Sequence, residues 1–139
     1  MKKLLFMLVI ILFFCACRKK TVTPDYSALI VGKWGCDSYK KDDADTVVRR
    51  QPYSLANRYE NGWQFLADKK VLYRSSSGDW LSFEKDNYLL EEDKVLTLNQ
   101  VDANSVSSKL TFQITEFTAN KLTVHSDMWK STFFLTKEP

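Results

Sequence analysis

The chain has little of what catalytic and metal centres are built from. Histidine occurs once, at His125, and cysteine three times, at Cys15, Cys17 and Cys36. A zinc site needs several Cys or His ligands, and a nucleophilic centre needs a nucleophile beside an oriented base. Neither set can be assembled here, and no nucleophile motif such as G-x-S-x-G is found. The acidic residues gather at Asp42, Asp43 and Asp45, and again at Glu84, Asp86, Glu91, Glu92 and Asp93. They lack the regular oxygen-ligand spacing and turn glycine of a calcium loop, and read as solvated, edge-protecting runs. His125 alternates with Leu122 and Val124, so it shares the face of Thr123 and is expected to point to solvent. Ser75-Ser76-Ser77 reads as a turn. The expectation is a protein that is not an enzyme, with no catalytic residues, no metal and no cofactor.

Charge of one sign is also missing. Removing Lys2 and Lys3 with a cleaved leader takes two from the formal charge of +3, leaving a near-neutral chain. Such a chain lacks the positive field that nucleic-acid binding requires. Long apolar runs are confined to one stretch, Leu4 to Ala16, bounded by Lys2-Lys3 and by Arg18-Lys19-Lys20. It is short of the roughly 20 residues that span a bilayer, and fits a signal-peptide core of about 7–15.

The run ends in Phe14-Cys15-Ala16-Cys17, which resembles the lipobox of bacterial lipoproteins: a large apolar residue, two smaller ones, then the cysteine that becomes the new N-terminus. Phe14 stands where Leu is usual and Cys15 where Ala or Ser is usual, whereas Ala16 and Cys17 match. Cleavage before Cys15 would put Phe14 in a slot for small side chains, so Cys17 is the expected anchor. The resemblance implies a diacylglyceryl thioether and an N-acyl group (palmitate-class chains) on Cys17. Two or more chains make attachment stable where one is marginal. Residues 1–16 are then a signal peptide, 17–27 a lipidated tether, and 28–139 the folded domain. With Cys15 removed and Cys17 acylated, Cys36 is left alone. No internal disulfide is expected, and Cys36 reads as a small buried apolar residue.

The rest of the chain reads as strands. A first strand is expected through Tyr39, then a long loop over 41–58 with Pro52 and no clean period. Further strands follow at Trp63–Leu66, Val71–Arg74, Trp80–Phe83, Asn87–Leu90, Lys94–Leu98, Leu110–Thr115, Lys121–His125 and Met128–Thr136. Lys85-Asp86 is expected as the turn between the third and fourth of these. Short strands at this spacing argue for an antiparallel sandwich or barrel. Most are nearer five residues than the roughly 9–11 of a membrane-spanning strand.

Leu29-Ile30-Val31-Gly32-Lys33-Trp34 resembles the Gly-x-Trp opening strand of lipocalins and of small bacterial lipocalin-like lipoproteins. Phe112 to Val124 and Thr132 to Lys137 resemble the closing hairpins of that group. The resemblance implies an all-β, antiparallel up-and-down barrel of about eight short strands. Such a barrel either fills with side chains or holds one small ligand.

Aromatic side chains are plentiful, and Trp34, Trp63, Phe65, Tyr73 and Phe112 are the candidate lining of a ligand cavity. The leading expectation is a membrane-tethered envelope lipoprotein that binds a small apolar or amphipathic molecule. The alternative is an accessory lipoprotein with a filled core and a protein-binding surface. Placement is expected on the outer membrane facing the periplasm, since a basic run and no Asp follows Cys17.

Overall fold

The computed structural model describes residues 25–49, 61–91, 94–101 and 104–139. The signal segment, Cys17, the tether as far as residue 24 and the second half of the expected 41–58 loop lie outside the described residues. A one-turn helix, α1 (Tyr26–Leu29), is capped by the Asp25 carboxylate, which accepts from the backbone N–H groups of Ser27 and Ala28. The Ser27 hydroxyl and then the Ala28 N–H hold the Asp25 carboxyl below the usual carboxylate range. Tyr26 already packs on Phe117, with ring centroids 5.2 Å apart.

Nine strands follow: β1 (Gly32–Lys41), β2 (Val48–Arg49), β3 (Gly62–Phe65), β4 (Lys70–Arg74), β5 (Trp80–Glu91), β6 (Val95–Val101), β7 (Ser107–Phe117), β8 (Lys121–Ser126) and β9 (Ser131–Lys137). Each barrel strand pairs antiparallel with the next, and β1 pairs with β9 to close an eight-stranded barrel. The ring order is β1, β3, β4, β5, β6, β7, β8, β9. Strand β2 is an addition within the expected 41–58 loop. It pairs with β1 at Ser38 and Tyr39, on the edge that β3 occupies lower down at Gly32 to Gly35.

One expected turn is not a turn. Lys85 and Asp86 lie inside β5, a single strand from Trp80 to Glu91, and the two expected strands on either side of them are one. Lys70 pairs with Asn87 and Leu72 with Ser82, so residues 83–86 form a bulge opposite Val71. A bulge adds residues without ending a strand, so its charged residues mimic a hairpin turn in sequence.

The core follows from alternation. Leu96 and Leu98 of β6, Leu122 and Val124 of β8, and Phe133 and Leu135 of β9 face inward, joined by the aromatics described below. Glycine is required where β3 starts. Gly62 has φ +152°, and a Cβ there would sit 2.6 Å from the Trp34 carbonyl oxygen.

Two ends of the barrel differ. The α1 end carries the 66–69 and 118–120 turns, and Ile30 plugs it with no exposed surface. The far end carries residues 42–47 between β1 and β2, the 75–79 turn, the β6–β7 connection and the 127–130 turn.

Candidate functional site

The candidate lining residues meet one another inside the barrel. Trp34 from β1, Trp63 and Phe65 from β3, Tyr73 from β4 and Phe112 from β7 are all at most 2 % exposed. Strands β3 and β7 stand on opposite walls of the ring. Nevertheless, the Trp63 and Phe112 ring centroids are only 4.9 Å apart, so the two walls touch across the axis. Phe65 packs edge-on to Tyr88 at 4.8 Å. Trp129, from the 127–130 turn, folds in against Phe112 and Phe133 at 5.6 Å each. These rings form a plug through the middle of the barrel.

Trp34 closes the α1 end. Its indole N–H donates to the Ile30 carbonyl at 2.7 Å. The Lys137 ammonium sits 5.3 Å from the centre of the Trp34 ring and donates to the Leu29 carbonyl at 2.8 Å. One lysine thus ties the last strand to the first turn while satisfying a backbone carbonyl.

At the far end exposed apolar side chains stand among polar ones such as Asp42, Asp43, Asp79 and Asp127. Among the described residues, the exposed large hydrophobics are Val47, Val48, Leu81, Leu89, Val106 and Met128. All but Leu89 lie on far-end connections or on the strand ends beside them. Val106 is 61 % and Met128 67 % exposed. Beneath this rim Tyr39, Phe83, Leu110 and Trp129 are partly buried against the core.

Below the rim lies a polar group that sequence reasoning placed in solvent. Asp86 was expected in a charged turn, yet it is 1 % exposed. The β5 bulge and the alternation with inward-facing Tyr88 carry it inside. Its Oδ1 accepts the Val101 N–H at 2.9 Å, whereas its Oδ2 is buried without a hydrogen-bond partner. A buried acceptor left unmatched costs about 1–3 kcal/mol. Gln100, also buried, donates through Nε2 to the Tyr73 hydroxyl at 3.3 Å, so Tyr73 and Gln100 add polar atoms near the same end. The signal was available in the sequence: Asp86, Tyr88 and Leu90 are spaced by two. The charge of Lys85-Asp86 masked it.

Tyr88 itself donates its hydroxyl to the Leu66 carbonyl at 3.0 Å. Burial, with the Asp68 charge adding, raises its phenol above the ordinary value.

The remaining candidates sit apart. His125 is half-buried on the outer wall, its Nε2 3.3 Å from Asp127 and its Nδ1 3.6 Å from Asp42 and 3.2 Å from the Thr132 hydroxyl. It joins the β1–β2 connection to the 127–130 turn, so it is less free than its expected solvent-facing position. Thr123, expected in solvent, is buried on that wall. It lines an open groove of about 320 Å³ with Asp37, Glu116, Phe134 and the overhanging Val47. Cys36 is half-buried rather than fully buried, and its thiol lies 3.5 Å from the Ser38 carbonyl oxygen. Among the described residues no cluster of His, Cys, Asp or Glu could hold a metal ion.

No protein-family model matches the chain, and no curated protein does. Solved structures do. A lipocalin-like protein from Bacteroides uniformis superposes with a TM-score of 0.55 at 16 % identity, covering 79 % of this chain and 99 % of that one. An uncharacterized protein from Bacteroides eggerthii superposes with a TM-score of 0.50 at 19 % identity, covering 78 % and 98 % respectively. At such identities the likeness concerns the fold: this chain carries a closed, antiparallel, lipocalin-like β-barrel.

Proposed function

We propose that this is a non-enzymatic envelope lipoprotein, anchored through acyl chains on Cys17, whose barrel takes up a small apolar or amphipathic molecule at its far end. The observation that carries the binding role is the asymmetry of the barrel. One end is sealed by α1, Ile30 and Trp34, and the other is rimmed by exposed Leu81, Val106 and Met128. Apolar surface gathered at the mouth of a barrel suits partitioning of an apolar body, with few polar groups fixing orientation. The aromatic plug sets the floor of that site, so the ligand would rest on Phe112, Trp129 and Tyr73 instead of displacing them. The anchor rests on the sequence signal at Ala16-Cys17. Outer-membrane placement facing the periplasm follows from the basic residues after Cys17.

A second reading keeps the same rim but gives it a protein partner. The plug favours it, because a barrel whose walls touch across the axis leaves less room within. Native mass spectrometry of the protein purified from its own host separates the two. A reproducible small adduct, lost on solvent extraction, supports the first reading. Bare protein that also takes up no added amphiphile overturns it.

A further inference from the structure

We propose that Asp86 is the polar anchor of the ligand site, and that it selects molecules carrying a cationic amine head on an apolar body. This deepens the binding role just described and rests on it. A carboxylate offers acceptor positions on both oxygens. The Val101 N–H occupies one oxygen, and the other is buried with no hydrogen-bond partner. Nothing about strand pairing demands a charge there: the inward positions that flank it on β5 are Phe83 and Tyr88, both packed into or against the core. Among the described residues no lysine or arginine makes an ion pair with Asp86. The site therefore holds a carboxyl group, buried and with one oxygen unmatched, at the far end of the barrel.

A ligand that completes this arrangement supplies a hydrogen-bond donor, and preferably a positive charge, at one end of an apolar chain. An ammonium meets both requirements, a hydroxyl only the first, and a carboxylate neither. Buried charge pairs gain from low dielectric only when the geometry is matched, so discrimination among these heads should be large. The Tyr73 hydroxyl and Gln100 amide, bonded to each other across β5, add polar atoms at the same end of the barrel.

The experiment uses the full chain reconstituted in phosphatidylcholine nanodiscs, with empty discs subtracted. Octylamine, octanol and octanoate are titrated separately, and binding is read from tryptophan fluorescence. Octylamine is expected to bind on the order of 10–100-fold more tightly than octanol, with octanoate weakest. Asp86→Asn keeps an acceptor for Val101 and the side-chain shape. It should lower octylamine affinity by a similar factor and leave octanol affinity within twofold. Circular dichroism of the variant checks that the barrel persists. The selectivity of the unaltered protein stands as a readout even if that variant does not fold. Equal affinities for the three probes, or undiminished octylamine binding by the folded variant, overturn the anchor while leaving the binding role intact. Absence of binding by all three probes overturns both.

Discussion

Truncating Phe112 distinguishes a packed plug from a cavity wall. Its ring has no exposed surface, and it meets Trp63 at 4.9 Å, Trp129 at 5.6 Å and Phe133 at 6.4 Å. Phe112→Ala removes a ring whose neighbours are themselves flat and stiff, so the space cannot close by a methyl-sized shift. Core truncations of this kind cost about 3–5 kcal/mol, the cavity contributing on top of lost transfer energy. Aromatic pairs add roughly 0.5–1.5 kcal/mol each beyond buried area, which places this residue toward the upper part of that range. Against a total stability of about 5–15 kcal/mol, the loss would be a large fraction. The assay is urea unfolding of the chain starting at residue 24, followed by tryptophan fluorescence, with Leu89→Ala on the exposed face as the control. The midpoint should fall by the corresponding amount with an unchanged slope, and the control should stay within about 0.5 kcal/mol. A loss below about 1 kcal/mol would mean that the ring borders existing empty space, and the plug would be wrong.

Four further outcomes are expected. Cys17→Ser should abolish incorporation of labelled palmitate and leave uncleaved precursor, whereas normal labelling of that variant together with its loss in Cys15→Ser would move the anchor to Cys15. The same shortened chain should melt at one temperature with and without reductant, because Cys36 is the only cysteine among the described residues; a large drop in the monomer would contradict this. Tyr88 has its folded pKa raised above the ordinary 10.0 by burial, so its contribution is complete below about pH 10 and is lost as pH climbs from there through the folded value. Tyr88→Phe should flatten that alkaline decline in melting temperature while costing about 0.5–1.5 kcal/mol at neutral pH through the lost Leu66 bond. Protease added to intact cells should spare the protein and digest it only after the outer membrane is permeabilised; digestion of intact cells would place it on the surface.

The barrel was legible in the sequence because inward and outward residues alternate cleanly where strands are short, as at Leu110, Phe112 and Ile114. The eight-strand count emerged even though two expected segments fused into β5, since the Lys85-Asp86 bulge carries the polar composition of a turn. Gly32-Lys33-Trp34 correctly marked the opening strand, while α1 escaped notice because a single turn leaves no helical period. The candidate aromatics were legible as buried rings. That they touch across the axis was not, because contact between opposite walls depends on strand stagger, which no local pattern encodes. Asp86 was missed for a related reason: its burial follows from the bulge and from the Val101 N–H that its carboxyl accepts, both products of pairing between distant segments.

The pairing of β1 with β9 carries a consequence for how the chain comes to be folded. Trp34 lies opposite Lys137 and Lys41 opposite Ser131, so the seam joins the first strand to the last, and Lys137 reaches Leu29 across 108 positions. Contacts of such separation form late and slowly, since the intervening chain must be ordered before they return any stabilisation. Until the final strand arrives, β1 and β8 are bare edges able to pair with another copy. Export in an unfolded state through the proposed signal peptide would therefore expose this vulnerability in the compartment of arrival. The last strand, from Ser131 to Lys137, works there as a clasp whose timing decides between a closed monomer and an open sheet that recruits its neighbours.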